Sequence, residues 1–242
     1  MSAEPATPEQ RRWRILEAIG LATVGVCLFA LMAVAREVIP PVILFGTIYL
    51  ALGYATYRWI DRPRVALATA VLGLLGLLAN LPFLISDLSH IDTWASFAPN
   101  VVAVILGLTG IAAGFISFFR PALAGTRPLG LGAAAVAAVL AVLSIGLSIA
   151  ATSDPAQAGD IEVLAKDVEY PEVLSAPAGL VGFHVKNDDL FHHTFVIEGT
   201  NVKLDLPGTK ARRIEVELTA GEYRFICDVP GHERMEGTLT VQ

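Results

Sequence analysis

The chain has 242 residues, of which 54% are hydrophobic and 17% are charged, and its formal net charge is −6. It is more apolar and less charged than an average soluble domain, so a membrane protein is the first interpretation. We expect no nucleic-acid partner.

Five long apolar runs occupy the first 151 residues. Each is long enough to cross about 30 Å of hydrocarbon as a helix, which takes roughly 20 residues. Buried helices of a large soluble protein are the alternative, but five such runs would leave almost no polar face to meet water. We therefore predict an N-terminal tail at residues 1–14, followed by an α-helical transmembrane bundle with helices at residues 15–35, 40–59, 65–85, 97–119 and 129–151.

Arginine is distributed unevenly between the two ends of these helices. Basic residues in short loops are retained on the cytoplasmic side of a membrane. Arg36 alone falls on one side, whereas the other side holds Arg11, Arg12, Arg14, Arg58, Arg62, Arg64, Arg120 and Arg127. We therefore predict a multi-pass protein of the cell membrane, with a cytoplasmic N-terminus and an extracytoplasmic C-terminal domain.

A cleavable signal peptide is the alternative interpretation of the first helix, because a basic region precedes it and small residues end it. Its apolar stretch is longer than that of a usual signal peptide, and Pro40 and Pro41 indicate a turn directly into the next helix. Both interpretations leave the C-terminal domain outside, since cleavage removes one helix and one crossing together.

The loop between the third and fourth predicted helices carries His90 together with Asp87 and Asp92. A weak metal site is one interpretation of this group. We predict the more ordinary alternative, a solvated loop.

The character of the chain changes after Ala151. The polar segment TSDPAQAGD predicts a linker at residues 152–160, and beyond it the short segments GLVGFHVKN, HTFVIEG, RRIEVEL, GEYRFIC and GTLTVQ alternate like strands. From Asp160 onwards 15 acidic residues face 8 basic ones, a net charge of −7. Residues 161–242 are therefore predicted to form a small antiparallel β-sandwich with six to eight strands.

The stretch CDVPGHERM places a thiol, an imidazole and a thioether within nine residues. Taken alone, Cys227 reads as a small buried apolar residue, and Cys27 in the first helix is no plausible disulfide partner. A thiolate, two imidazoles and a weak axial thioether form a site that selects copper for electron transfer. The loop supplies Cys227, His232 and Met235, and HHTF on another strand offers the second imidazole.

Two adjacent histidines compete for that role. Side chains alternate along a strand, so His193, Phe195 and Ile197 share the more apolar face and His192 lies on the other. We therefore predict His193 as the ligand.

These residues resemble the cupredoxins, the blue copper proteins that include plastocyanin, amicyanin and azurin. The resemblance covers roughly residues 160–242 and includes the run LTAGEYRFICDVPGHERMEGTLTV and the step from Asn187 to His193. The spacing from Cys227 to His232 is similar to that of azurin, and the spacing from His232 to Met235 to that of amicyanin. The resemblance implies a Greek-key sandwich that holds one type 1 copper ion through His193, Cys227, His232 and Met235.

Departures from the family pattern and ligand counts narrow this prediction. Thr194 stands where plastocyanin-like proteins often carry Asn, and we expect its hydroxyl to brace the ligand loop. A dinuclear copper centre needs two thiolates in this loop, and multicopper oxidases and copper nitrite reductases need more histidines than the five present. We therefore expect an electron carrier rather than an enzyme.

The predicted function is one-electron transfer on the extracytoplasmic face by a membrane-anchored blue copper protein. The negative charge favours a cationic redox partner, such as a basic cytochrome, and a membrane oxidase is a second candidate partner. The alternative function is copper delivery to a membrane oxidase, which needs the same ligands. A third interpretation is that the five helices form an enzyme or transporter and the copper domain delivers electrons to it. Helices that are nearly free of ionisable residues disfavour this interpretation.

Overall fold

A computed structural model describes residues 6–36 and 38–242, and this part of the chain contains six helices and eight strands. The helices are α1 (Pro8–Ala35), α2 (Pro40–Arg58), α3 (Pro63–Ala79), α4 (Leu81–Ser89), α5 (Trp94–Phe119) and α6 (Thr126–Ala150). The chain divides into two compact units, one with Met1–Leu84 and Ala98–Leu143 and one with Ile85–Phe97 and Ser144–Gln242.

The first helix begins earlier than predicted. Thr7 forms a capping box with Gln10: the Thr7 hydroxyl accepts from the Gln10 amide at 3.3 Å, and the Gln10 side chain accepts from the Thr7 amide at 2.8 Å. Pro8 at the first helical position loses no hydrogen bond there. The helix therefore includes part of the tail predicted for residues 1–14, of which residues 1–5 lie outside the described range.

The third apolar run is two helices and not the single helix predicted for residues 65–85. α3 and α4 are bent by 63° at Asn80, whose side-chain amide donates to the Gly76 carbonyl at 2.8 Å. Pro82 lacks the N–H that would continue the α3 ladder. Within the described residues, four helices are therefore long and apolar enough to cross a membrane, or five if the bent pair forms one span.

The first unit encloses a small polar group among its helices. Glu17 of α1 is fully buried, and its carboxylate accepts from the Thr69 hydroxyl at 2.9 Å. The Thr56 hydroxyl lies 2.8 Å from that of Thr69, which connects α1, α2 and α3. Hydrogen bonds between helices thus hold Thr56, Thr69 and one oxygen of the Glu17 carboxylate.

The second unit contains two sheets. Its strands are β1 (Ile161–Ala165), β2 (Val173–Ala176), β3 (Gly179–Asn187), β4 (His193–Ile197), β5 (Lys203–Leu206), β6 (Ala211–Leu218), β7 (Gly221–Ile226) and β8 (Glu236–Val241). One sheet has the order β1-β3-β6 and the other β2-β8-β7-β4-β5. All five segments predicted as strands are confirmed, as β3, β4, β6, β7 and β8.

The sheets are mixed rather than purely antiparallel as predicted. β1 pairs with β3 in parallel, and β2 pairs with β8 in parallel, whereas the other pairs are antiparallel. The chain passes from β1 in the first sheet to β2 in the second and then returns to the first as β3. A strand that is reached by such a crossover can pair in parallel, which a direct hairpin cannot do.

The core of the second unit is aromatic. Phe195 lies 5.6 Å from both Phe183 and Phe225, measured between ring centroids, and all three side chains are fully buried. The Tyr170 hydroxyl donates to the Thr194 carbonyl at 2.6 Å, so its polar end is satisfied within the core. This packing fixes β4 and β7 next to each other, and both strands lead into the site described below.

Residues 85–97, hereafter the connecting segment, belong to the second unit rather than forming the predicted solvated loop. The His90 ring stacks on His192, with ring centroids 3.9 Å apart and an interplanar angle of 18°. The Gly208 amide donates to the Thr93 hydroxyl at 3.3 Å. These contacts join distant parts of the chain, so neighbouring residues in the sequence do not reveal them.

Candidate metal centre

The candidate ligands come from β4 and from the loop between β7 and β8. Pairing of Val196 with Ile226 brings the end of β7 alongside β4. The loop then folds back on itself, because the Cys227 amide donates to the Met235 carbonyl at 2.9 Å and the Met235 amide donates to the His232 carbonyl at 2.8 Å. Two neighbouring strands and a tight loop therefore hold all the candidate side chains.

Three of the four predicted ligand side chains converge. The Nδ1 atoms of His193 and His232 lie 3.1 Å apart, and the Cys227 sulfur lies 3.9 Å from the first and 3.6 Å from the second. His193 and Cys227 are buried, whereas His232 is half-buried. Of the described residues, these are the one group of three or more His, Cys, Asp or Glu whose ligand atoms approach closely enough to hold a metal ion.

The donor set fits copper. A cysteine sulfur and two imidazole nitrogens form the His₂Cys arrangement that binds copper in electron-transfer sites. The three atoms point at one another without an intervening carboxylate, so the site lacks the oxygen ligands that hard cations prefer. The residues present therefore suit a copper ion with a thiolate ligand.

The environment of Cys227 favours the thiolate. Burial by itself would raise the thiol pKa, but hydrogen bonds from His193, His232 and the Thr194 and Val229 amides outweigh it and lower the pKa to about 5. A metal can bind the deprotonated sulfur directly. The thiolate form therefore prevails at neutral pH.

Thr194 braces the ligand loop. Its amide donates to the Cys227 sulfur at 3.4 Å, and its hydroxyl donates to the Asp228 carboxylate at 2.7 Å and accepts from the Asp228 amide at 2.9 Å. Lys203 donates to the other carboxylate oxygen of Asp228 at 2.6 Å. The hydroxyl thus makes the hydrogen bonds that the sequence led us to expect, and it fixes the residue that follows Cys227.

Asp189 is a functional residue that the sequence analysis missed. Its carboxylate lies 2.9 Å from Nε2 of His193 and also accepts from the Asp167 and Val168 amides, at 2.8 and 3.0 Å. In the metal-free ring both nitrogens can donate, Nδ1 to the Cys227 sulfur and Nε2 to Asp189, whereas with a metal ion on Nδ1 the remaining ring proton would stay on Nε2 and be donated to Asp189. The available signal is the segment NDDLFHH, in which an acid precedes His193 by four residues.

The His193–Asp189 pair also changes the ionisation of both groups. Burial alone would lower the pKa of His193, but the hydrogen bonds with Asp189 and Cys227 raise it above its usual value. Burial would raise the pKa of Asp189, but the hydrogen bonds from His193 and from the Val168 and Asp167 amides lower it. Asp189 is therefore a carboxylate that orients the His193 ring.

We expect Asp189→Asn to weaken copper binding about 10- to 100-fold, the usual effect of losing a carboxylate behind a metal-binding histidine. The neutral amide accepts a weaker hydrogen bond and leaves the ring less firmly oriented. Competition with a chelator, using the full-length protein, measures the affinity. Asp188→Asn is the matched control, because Asp188 pairs with Lys186 at 2.7 Å. Wild-type affinity in Asp189→Asn would contradict this role.

Met235 is buried, with 1% of its surface exposed, and its backbone bonds to Cys227 and His232 as described above. The fold thus keeps it in the ligand loop beside the other three residues. Its role as the axial ligand stays a prediction.

His192 and His193 take different directions. His193 faces Cys227, whereas Nε2 of His192 lies 3.1 Å from the Ser86 hydroxyl and Nδ1 lies 4.0 Å from the Asp87 carboxylate. Burial lowers the pKa of His192 to about 3, with a smaller contribution from His90, so its ring is neutral. The structure thus brings together His193, Cys227 and His232, and places His192 among residues of the connecting segment.

Comparison with known proteins assigns the family of this domain. The sequence model of the cupredoxin-like domain family matches residues 135–241. This part of the chain is a cupredoxin-like domain, and the cofactor that it implies is copper, for which His193, Cys227 and His232 form the candidate site. No curated protein matches the chain.

Several solved structures are similar to the C-terminal domain. The Cu(I) form of a mutant of amicyanin has 20% sequence identity and a TM-score of 0.31, and the match covers 38% of this chain and 90% of that one. Amicyanin from Paracoccus versutus (Thiobacillus versutus) has 17% identity and a TM-score of 0.30, with coverage of 36% and 85%. A copper-containing nitrite reductase from Thermus scotoductus has 21% identity and a TM-score of 0.29, with coverage of 39% and 26%.

Proposed function

We propose that this chain is a membrane-anchored blue copper protein that transfers one electron at a time on the extracytoplasmic face. The observation that carries the proposal is the convergence of His193, Cys227 and His232 in a cupredoxin-like domain. Copper supplies the redox chemistry, by changing between Cu(II) and Cu(I). We propose that His193, Cys227 and His232 would hold the copper and that the Met235 sulfur would be a fourth, weaker ligand.

The protein's own contribution is to hold these ligands still. Asp189 fixes the His193 ring, and Thr194 fixes both the Cys227 sulfur and the following residue through the hydrogen bonds given above. The aromatic core beneath them is fully buried, and such packing resists deformation. A site that is held in this way changes little in shape when an electron arrives or leaves, which favours fast transfer.

His232 is the candidate exit for electrons to a soluble partner. It is the half-buried member of the ligand set, so one edge of its ring reaches the surface. The domain from Asp160 onwards has a net charge of −7, which attracts a cationic partner such as a basic cytochrome and makes the encounter sensitive to salt. A membrane oxidase is the second candidate partner.

Membrane anchoring rests on the helices of the first 151 residues. At least four of the described helices have the length and hydropathy of a membrane span, and the arginines lie mostly at alternate helix ends. We count the bent pair α3 and α4 as a fifth span, because only an odd number of crossings allows the assignment of the N-terminus to the cytoplasm and the copper domain to the outside. An electron carrier needs no further catalytic metal, so we assign no enzymatic activity to this chain.

Copper titration of the full-length, metal-free protein tests the central proposal. We expect one Cu(II) per chain and an intense visible charge-transfer band, because thiolate-to-copper charge transfer is strong. Reduction and reoxidation should bleach and restore the band. Weak ligand-field absorption alone would contradict a type 1 site. Rapid loss of copper to a chelator, without reversible redox cycling, would instead indicate copper delivery.

A further inference from the structure

A groove of about 650 Å³ lies in the second unit beside the connecting segment. Its lining combines apolar residues, which include the C-terminal end of α6, with an imidazole and two carboxylates. Its apolar residues include Leu147, Ala150 and Pro207, and its polar residues include His90, Asp92 and Asp205. We refer to this surface as the α6 groove. Its volume is within the range of small-molecule sites.

The hydrogen bonds of His90 define which ring nitrogen can accept a proton. Nδ1 lies 2.8 Å from the Ser86 carbonyl oxygen, which can only accept, so Nδ1 carries the ring hydrogen. Nε2 of the neutral ring therefore has a free lone pair. The Asp205 carboxylate lies 3.8 Å from Nε2. The groove thus contains a proton acceptor beside a carboxylate.

His90 also lies on a short path to the candidate copper site. Its ring is stacked on that of His192, at 3.9 Å between centroids, and His192 is joined by one peptide bond to the ligand His193. Ser86 holds both rings, since its carbonyl bonds to His90 and its hydroxyl lies 3.1 Å from Nε2 of His192. This path is separate from the His232 edge, which we assign to the soluble partner.

We propose that the α6 groove binds a lipid-borne hydroquinone, which donates electrons to the copper site. This inference rests on the electron-transfer function and membrane placement proposed above. An electron donor bound in the α6 groove would contact the apolar end of α6 and the proton-accepting Nε2 of His90. Its electrons could pass through the stacked rings of His90 and His192 to the candidate copper site. A hydroquinone suits all three, because it has an apolar tail and releases a proton with each electron.

The hydroquinone would be oxidised to a quinone in two equal one-electron steps. In each step a phenolic O–H bond would break, its proton would go to Nε2 of His90, and one electron would pass along His192 and His193 to a Cu(II) ion held by the ligand set. The proton would then pass by way of Asp205 to water, and the redox partner at His232 would take the electron from the reduced site. After two steps the hydroquinone has become a quinone, with two protons released and two electrons transferred.

Reduction of the copper-loaded, full-length protein by a decyl-substituted hydroquinone tests the kinetic role of His90. We expect His90→Phe to slow the bleaching of the visible band about 100-fold or more, the usual effect of losing a general base. Phenylalanine keeps a flat ring for stacking but cannot accept a proton. Reduction by ferrocyanide, which releases no proton, should be unchanged. His184→Phe is the matched control, since His184 pairs with Glu162 at 2.7 Å.

Photolabelling of the copper-free, full-length protein by an azido derivative of the decyl-quinone tests binding without redox activity. We expect labels at residues 89–92 and 147–151, and we expect Ala150→Trp to abolish them by filling the groove. Labels elsewhere only, or equal rates for His90→Phe and wild type, would overturn the inference. Equally fast reduction by a hydroquinone without the alkyl chain, unaffected by Ala150→Trp, would also overturn it. A protein that is labelled in the groove but shows no visible band would contradict the copper function instead.

Discussion

His193→Ala should abolish the intense visible band of the copper-loaded protein, whereas His192→Ala should leave it nearly intact. Nδ1 of His193 lies 3.9 Å from the Cys227 sulfur and 3.1 Å from Nδ1 of His232, so its loss removes one of the three converging donors. His192 is also buried, but it faces Ser86 and His90. Its removal leaves the donors in place and disturbs only the packing behind them, so we expect a shifted reduction potential.

Absorption and electron paramagnetic resonance spectra during Cu(II) titration measure this difference. His184→Ala is the matched control, because it removes a histidine that pairs with Glu162. We expect its spectra to equal those of the wild type. Exogenous imidazole should partly restore the band in His193→Ala by entering the space that the side chain leaves. Loss of the band in His192→Ala, with its retention in His193→Ala, would show that the other histidine binds copper.

Protease added to intact spheroplasts should separate the copper domain from the helices. Eight arginines lie on the assigned cytoplasmic side and one on the opposite side, and this bias sets the orientation of short-loop membrane proteins. We would insert the recognition sequence of a site-specific protease after Ala156, where the linker is exposed. Near-complete cleavage, with release of a C-terminal fragment on a denaturing gel, is expected.

The same recognition sequence inserted before Thr7 is the matched control, and it should be cut only in inverted vesicles. Protection of the Ala156 insertion in spheroplasts, together with its cleavage in inverted vesicles, would contradict the assigned orientation. The copper site would then lie in the cytoplasm, where a carrier of this kind would meet different redox partners.

Local patterns in the sequence were sufficient for most elements of the fold. Strands β3, β6, β7 and β8 follow from alternation of apolar and polar residues, because one face of each strand is more buried than the other, and the sequence also predicts β4 although it is buried on both faces. The sequence predicts Cys227, His232 and Met235 together as candidate ligands, because they lie in one short loop. The apolar runs predicted the helices because a long stretch without charge has few other stable environments.

Breaks and crossovers were harder to predict. The sequence predicts one long helix through Asn80, because hydropathy does not report the side-chain bond from Asn80 to Gly76 or the bend at this residue. The parallel pairing of β1 and β2 depends on which sheet each strand joins. That choice depends on packing between residues far apart in the chain, and alternation within a single strand cannot report it.

The sequence by itself determined that this protein joins apolar helices to a cupredoxin-like domain, with a cysteine and a histidine in its last loop and a second histidine on another strand. Only the tertiary structure decided that Asp189 orients His193 and that His90 stacks on His192. His90 and His192 are about a hundred residues apart, so no local pattern links them. The periodicity of apolar residues indicates which face of a helix or strand is buried. Which other segment packs on that face is decided only when the whole chain folds.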